Sequence, residues 1–290
     1  MSFAVERALV RATVSVTRDE AIERTEVSAA LQTLKERVPW AIARLGAKEW
    51  RRRVDALTGQ TTPPHAINRA YSKMREIMLT CALRCPRRSL HLGEAPGGFV
   101  QALADIAEHR GLKEQWRWTA VSLSGGPAFA LDRLPMARGQ AILHDLRSWQ
   151  PEDPQARYEL VTGDAAVEMD HARIEEEHVS LFDAEAELAC RYCAVGGDVV
   201  LKFYEGGEAS TLRVLAAVTR CFESCAVIKP FTSRPVNSER YLIGRRRLER
   251  ESYDSTPYPA PIWCEDTHTV LDELNSDQIR SLQKIFAKIH

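Results

Sequence analysis

Gly93-Glu94-Ala95-Pro96-Gly97-Gly98 puts three glycines and a proline into six residues, between an apolar run at 90–92 and a helical stretch at 99–107. A strand that enters a glycine-rich turn and then a helix is a ligand-binding edge. The glycines let a ligand approach the backbone, and the first helical turn offers N–H groups. The spacing is not the dinucleotide fingerprint G-x-G-x-x-G. Charged residues gather at the same kind of place. Asp145, Asp164 and Lys202 fall at or near the ends of other apolar runs. Open parallel sheets bind ligands at the carboxyl ends of their strands, so a glycine turn, two carboxylates and one ammonium are expected around one cleft. Glu239 instead begins a run. The connection 231–238 is short enough for a hairpin, which makes its strand antiparallel and brings Glu239 to the same edge.

The elements that must hold these residues follow from hydrophobic period and punctuation. Strands are predicted at 116–123, 141–145, 158–164, 198–204, 224–230 and 239–244, in addition to 90–92, with helices near 99–107, 177–195 and 210–221. Gly196-Gly197 reads as the C-cap of the 177–195 helix. The pattern predicts an α/β, Rossmann-like fold. Its mostly parallel seven-stranded sheet has one antiparallel strand and helices on both faces. Asn68 can cap a helix to about 83, whose stripe is Ala70, Met74, Ile77, Met78, Cys81 and Ala82. Lys73 lies at the edge of that stripe. Upstream, alternation in the second half of 8–16 suggests a strand. Residues 21–47 read as helix with Ala30, Leu31, Leu34, Val38 and Ile42 on one face, and Trp40 and Trp50 are expected to pack. The linker around Thr58-Gly59-Gln60-Thr61-Thr62-Pro63-Pro64 closes a mainly helical N-terminal extension, 1–62. A catalytic domain then spans 63–245. The tail, 246–290, is irregular around Pro257, Pro259 and Pro261, and a helix beginning at Ser276-Asp277 is expected to dock on this chain's own domain.

Composition narrows the function classes. The chain has 290 residues, 44% hydrophobic content and a net charge of −1, so any RNA contact must be local rather than a broad basic surface. The local clusters are Lys48 with Arg51–Arg53, Arg84 with Arg87 and Arg88, and Arg245–Arg247 with Arg250. Without a long apolar run or a signal-like N-terminus, a soluble intracellular protein away from membranes is expected, in the cytoplasm first, with the nucleus (or, for a viral protein, the virion) left open. Six of the seven cysteines form the close pairs Cys81/Cys85, Cys190/Cys193 and Cys221/Cys225. Each pair lies in or beside a predicted helix, which suits buried thiols better than a zinc site.

The glycine turn with Phe99, the Gly163-Asp164 and Val200-Leu201-Lys202 strand ends, and Ser233-Arg234-Pro235-Val236-Asn237-Ser238-Glu239-Arg240-Tyr241 resemble the FtsJ-like family. Arg69-Ala70-Tyr71-Ser72-Lys73-Met74 resembles that family's first-lysine segment. The resemblance covers about 66–245. It implies an S-adenosylmethionine-dependent RNA ribose 2′-O-methyltransferase whose Lys-Asp-Lys-Glu tetrad is Lys73, Asp164, Lys202 and Glu239. It also implies cofactor contacts from Gly93, Glu94, Ala95, Pro96, Gly97, Gly98, Phe99, Leu123 and Asp145, RNA contacts from Ser233, Arg234 and Ser238, and no metal. The wording of the turn and of the 233–241 loop is closer to viral and eukaryotic mRNA-cap enzymes than to bacterial rRNA enzymes. Capped mRNA is therefore the first expected substrate and rRNA the second. An inactive RNA-binding or assembly subunit is the alternative of another class, with either extension a place for a protein partner. One departure stands out: Val121-Ser122-Leu123-Ser124-Gly125-Gly126 lacks the acidic residue many members use for the cofactor ribose.

The tetrad suits the implied reaction. A ribose hydroxyl must lose its proton as it attacks the methyl group. A lysine with its ordinary pKa of about 10.4 is protonated at neutral pH, whereas burial and a neighbouring ammonium lower that value and carboxylates raise it. Lys202 is thus expected as general base or hydroxyl-orienting group, Lys73 as its like-charge neighbour, and Asp164 and Glu239 as the groups that orient the lysines.

Overall fold

The computed structural model describes residues 7–9, 26–58, 62–166, 174–206, 208–249, 252–254 and 265–288. In chain order the elements are β1 (Arg7–Leu9), α1 (Glu26–Lys35), α2 (Arg37–Leu45), α3 (Ala47–Thr58), α4 (Arg69–Thr80), β2 (Arg88–Leu92), α5 (Gly98–His109), β3 (Arg117–Ser122), β4 (Gly139–Leu143), β5 (Tyr158–Gly163), α6 (Ile174–Tyr192), β6 (Cys193–Tyr204), α7 (Ala209–Cys221), β7 (Phe222–Ile228), β8 (Glu239–Arg247) and α8 (Glu265–Phe286). The sheet order is β1-β7-β8-β6-β5-β2-β3-β4. The seven expected strands are β2 to β8, and among them only β8 runs antiparallel to its neighbours, β6 and β7. The short β1 adds an eighth strand at the edge, antiparallel to β7. It falls just ahead of the alternating stretch read as a strand, which lies outside the described residues, as do the three tail prolines.

Strand alternation gives the sheet two apolar faces. Leu90, Leu92, Val161, Val199 and Leu201 pack with α6 and α7 through Phe182, Ala186 and Leu215. Leu160, Val200, Tyr241 and Ile243 pack on the other face with Met74, Phe99 and Leu103 of α4 and α5. Asn68 caps α4 as expected, its Oδ1 accepting the Ala70 N–H at 3.0 Å. Met74, Ile77 and Met78 are fully buried, each worth roughly 1.5–3 kcal/mol of apolar burial.

Four readings change. The 21–47 stretch is not one helix, because Pro39 has no N–H for the carbonyl of Lys35, and the chain breaks between α1 and α2. Trp50 packs as expected, but Trp40 is 47% exposed, and Ala30 also faces solvent. Gly196-Gly197 does not cap α6, which ends at Tyr192. The two glycines form a bulge where pairing jumps from Tyr158↔Cys193 to Leu160↔Asp198, with Gly196 at φ +75°. The tail helix starts at Glu265. Ser276 and Asp277 lie inside it, with the Asp277 carboxylate ion-paired to Arg280 one turn on.

α8 does dock on this chain. Leu282, Ile285 and Phe286 form a third core with Leu31, Val38, Ala41, Trp50 and Val54 of the N-terminal helices. Five of the six described cysteines are buried and none forms a disulfide. Among the described residues no helix is long and apolar enough to cross a membrane.

Candidate active site

Strand register builds the site. Gly163 pairs with Leu201, so Asp164 follows directly beside Lys202. Lys202 pairs with Tyr241, and Tyr204 with Glu239. Lys202 has the parity of Val200, and Glu239 that of Tyr241 and Ile243, so both face α4 and α5. From α4, Lys73 reaches Glu239 with Nζ–Oε distances of 2.7 and 2.8 Å. Lys202 Nζ donates to the Asp164 backbone carbonyl at 2.7 Å and faces its carboxylate at 3.1 Å. The Tyr241 hydroxyl lies 3.0 Å from Asp164 Oδ1 and 3.2 Å from Glu239 Oε1. Lys73, Glu239, Tyr241, Asp164 and Lys202 therefore form one continuous chain of opposite charges bridged by a phenol. The tyrosine is the member that sequence reasoning left without a role. Its only signal was its place two residues after Glu239, on the same face of β8.

Electrostatics assign states to these groups. Burial favours a neutral Lys202, but the negative charge of Asp164 and Glu239 outweighs it and holds the ammonium above the ordinary lysine value. Burial alone would also raise Glu239. Lys73 and Lys202 outweigh that and hold it at about 2. Both partners are thus ionised, and the resting Lys202 is a proton donor. An ammonium that donates to Asp164 can orient a hydroxyl.

The 231–238 connection is the hairpin expected. Glu76, three residues beyond Lys73 on α4, accepts the Phe231 and Thr232 N–H groups at 2.6 and 2.9 Å. Lys229 donates to the Asn237 and Glu239 carbonyls at 2.7 and 3.0 Å, although burial pulls it down to about 7. Ser233 is buried with its Oγ 3.1 Å from Glu239 Oε1, so it positions the tetrad instead of facing RNA. Ser238 is also buried and accepts from Gln278 at 3.1 Å. Arg234 Nε donates to Asp55 of α3 at 2.9 Å, and Arg69 donates to the same carboxylate at 3.1 Å. The N-terminal helices therefore reach the rim of the site. Of the basic clusters, Lys48 and Arg51–Arg53 lie on α3 on this side. Arg88 begins β2 and Arg247 ends the antiparallel β8, which places those two clusters on the opposite edge of the sheet.

The glycine turn lies at the same edge, after β2. Gly93 has φ +66°, and a Cβ there would sit 2.2 Å from the Ala165 Cα. Replacing Gly93 by alanine is therefore expected to lower the thermal midpoint by several degrees, about 1–3 kcal/mol of backbone strain before the clash is counted. An unchanged melting curve would contradict this packing.

The N–H groups expected for a ligand already have partners. Phe99 and Val100 donate to Glu94 Oε1 at 2.7 and 3.1 Å, and Ala95 to Ser122 Oγ at 2.7 Å. Gly93 and Glu94 donate to the Val121 carbonyl, and Gly97 to that of Glu94. Glu94 and Phe99, both read as cofactor contacts, turn inward: the carboxyl caps α5, and the ring is fully buried against Tyr241. Gly98 is closed off as well, its missing Cβ replaced by Asn68 Oδ1. A turn with these N–H groups paired is a poor phosphate cradle. Gly93, Ala95, Pro96 and Gly97 form its backbone. Beside it, at the carboxyl ends of β3 and β4, lie Leu123, 52% exposed, and the Asp145 carboxylate, held by Arg147 at 2.7 Å. An apolar side chain and a carboxylate acceptor fit an adenine, so the residues suit S-adenosylmethionine. No carboxylate follows β3 to meet its ribose.

Two buried carboxyls near the site predict a pH dependence. Burial raises Glu94 to about 8 against its Val100 and Phe99 hydrogen bonds, and raises Glu185 of α6 to about 8 against the Ala165 N–H. Each binds its proton more tightly in the folded chain, so stability falls as pH climbs from the ordinary value of 4.5 towards 8. Denaturant unfolding at pH near 5 and near 8 is expected to show a smaller decline in Glu94→Gln/Glu185→Gln than in the parent. Equal declines would exclude these two groups as its cause.

The chain is similar in sequence to known proteins. The African swine fever virus protein named "Probable methyltransferase EP424R" is 25% identical over 215 residues, covering 63% of this chain and 50% of the relative. The Drosophila melanogaster protein named cap-specific mRNA (nucleoside-2′-O-)-methyltransferase 2 is 28% identical over 184 residues, covering 53% and 26%. Ribosomal RNA large subunit methyltransferase E of Thiobacillus denitrificans is 29% identical over 168 residues, covering 57% and 72%. The chain thus spans half or less of the first two relatives. A model of the FtsJ-like methyltransferases matches residues 66–247, the stretch from just before α4 to the end of β8 that carries all four tetrad residues, and the chain belongs to that family.

Proposed function

We propose that this protein transfers a methyl group from S-adenosylmethionine to a ribose 2′-oxygen of RNA, with the cap-proximal nucleotide of mRNA as its first substrate. The observation that carries this reading is the unbroken charge chain from Lys73 to Lys202 beside the glycine turn. When bound, the cofactor supplies an electrophilic methyl group on a good leaving group. What the protein adds is alignment and charge. Lys202, held as an ammonium, donates to the attacking oxygen and stabilises the negative charge that grows as the oxygen–methyl bond forms, the methyl–sulfur bond breaks and the hydroxyl proton passes to bulk water. Asp164 and Tyr241 fix the direction of that ammonium, and Glu239 fixes Lys73.

The cap preference rests on the 233–241 loop and on similarity to a relative named for caps. Similarity to a relative named for ribosomal RNA supports the second substrate. Methyl transfer to short capped RNA, the same RNA uncapped, and ribosomal subunits separates them. Transfer to capped RNA at least about tenfold above uncapped is expected. Equal transfer to both would remove the cap preference, and transfer to subunits alone would select the ribosomal substrate.

A further inference from the structure

The basic residues at the amino-terminal edge of the parallel strands have no part in the site described above. Three neighbouring strands open there on arginine: Arg88 begins β2, Arg117 begins β3, and Arg157 directly precedes β5. Arg88 and Arg117 are register partners, and adjacent strands lie about 4.8 Å apart, so the three form one row. All three are exposed. Neutral groups hold them in place. Arg117 Nη1 donates to the Glu114 and Trp116 carbonyls at 2.8 and 2.9 Å. Arg157 Nη1 donates to the Pro154 and Ala156 carbonyls at 3.3 and 2.8 Å. The Arg88 guanidinium lies 5.3 Å from the centre of the Tyr158 ring. Among the described residues no carboxylate pairs with any of the three. The nearest acidic groups are turned elsewhere: Glu159 to the Arg87 N–H at 2.6 Å, Glu114 to Arg138, and Asp198 to the Arg246 N–H at 3.0 Å.

We infer that this row is a second RNA surface, which holds the sugar–phosphate backbone of the substrate strand away from the catalytic cleft. The inference rests on the RNA reading above and carries the RNA contact to the sheet edge opposite the tetrad. Arginines at helix C-termini serve as caps on the last carbonyls, but these three stand at strand starts. A guanidinium has five N–H donors. Arg117 and Arg157 commit one nitrogen each to the backbone, so each keeps donors for phosphate oxygens. Groups already held in place lose little side-chain freedom when they meet a polyanion. With a net charge of −1 for the whole chain, the attraction is confined to such local rows. β2 and β3 have five and six residues, which puts the row roughly 15–20 Å from the glycine turn, at about 3.3 Å per residue. RNA that only fills the cleft does not reach it, whereas a longer strand does.

The test measures binding of the full chain, across a range of salt concentrations, to two RNAs with the same 5′ end. One is just long enough for the cleft and the other several times longer. The parent is compared with Arg88→Gln/Arg117→Gln/Arg157→Gln, and with Arg213→Gln, an exposed site on α7, as control. For the parent, log affinity is expected to fall more steeply with log salt for the long RNA, by about 2 in slope, at about 0.7 per phosphate contact. The triple variant is expected to lose that excess, to bind the long RNA about tenfold more weakly, and to match the parent in binding and methylating the short one. Arg213→Gln should behave like the parent. Equal slopes for the two RNAs with the parent, or a folded triple variant that keeps the excess, overturn the row. So does arginine-dependent binding of polyglutamate without binding of long RNA, which makes the row a face for an acidic protein. Should the triple variant misfold, Arg88→Gln alone disturbs only the Tyr158 contact. It is expected to lower the excess by about 0.7, and an unchanged excess overturns the row. The same RNAs are scored for methyl incorporation by mass spectrometry. A 2′-O-methyl group gained without an arginine-dependent slope removes the row and leaves the methyl-transfer reading standing. An arginine-dependent slope without methyl incorporation does the reverse.

Discussion

Replacing Lys202 by alanine is expected to lower kcat for methyl transfer by about 100-fold or more, the usual effect of deleting a donor aimed at developing negative charge, while cofactor affinity stays near that of the parent. The ammonium is buried, charged and held by two oxygens of Asp164 at 2.7 and 3.1 Å, so its loss removes both the donor and its orientation. Lys202→Met keeps most of the volume and separates the chemical effect from packing. It should be as inactive as the alanine variant. Tyr241→Phe breaks only the bridge between the two ion pairs, so it should lower kcat by a smaller factor, about tenfold, with KM little changed. Steady-state kinetics on one RNA substrate reads all three. A Lys202→Ala enzyme within threefold of the parent would mean that the tetrad is a structural network and that the chemistry lies elsewhere.

Lys35→Met is expected to destabilise the folded chain by about 3 kcal/mol or more, read from urea unfolding. Lys35 of α1 and Glu205, just after β6, form an ion pair at 2.9 Å with side chains 5% and 7% exposed. Removing Lys35 leaves the buried Glu205 carboxylate with the Arg240 guanidinium as its remaining counter-charge; breaking a buried pair typically costs about 3–5 kcal/mol, whereas replacing both is often close to neutral. Lys35→Met/Glu205→Gln should therefore regain at least half of the loss. A single variant less than about 1 kcal/mol below the parent would show that α1 is not held to the loop after β6 through this pair. Arg240 of β8 adds to the same seam through the Glu205 carbonyl and Asn275 of α8, so both chain extensions converge on the loop after β6.

The strands and three members of the tetrad, Asp164, Lys202 and Glu239, were legible in the sequence for a shared reason, whereas Lys73, on a helix, was singled out only by the family resemblance. A parallel sheet buried on both faces writes each strand as an apolar run, and a charged residue at the end of such a run is conspicuous. Lys202 and Asp164 are of that kind, and the short loop before Glu239 fixed its direction. Tyr241 was not legible, because a tyrosine on a buried strand reads the same whether its hydroxyl is bonded to the carboxylates of Asp164 and Glu239 or to nothing. Glu94 was misread for the opposite reason. A carboxylate in a ligand-binding turn looks available, and only the backbone path shows that it folds under to cap α5. Gly196-Gly197 satisfies the rule for a helix end, yet a bulge needs the same positive φ. Asp55 gains its meaning from how the N-terminal helices dock, which no local pattern encodes.

The central claim is that methyl goes to a ribose oxygen aligned by Lys202. The most direct measurement supplies S-adenosylmethionine labelled in its methyl group and follows the label into nucleosides after digestion of the RNA. The account predicts that label is recovered only as a 2′-O-methylnucleoside, and that it vanishes when that one ribose is replaced by 2′-deoxyribose. Label on a base, or label that persists in the 2′-deoxy RNA, would contradict it.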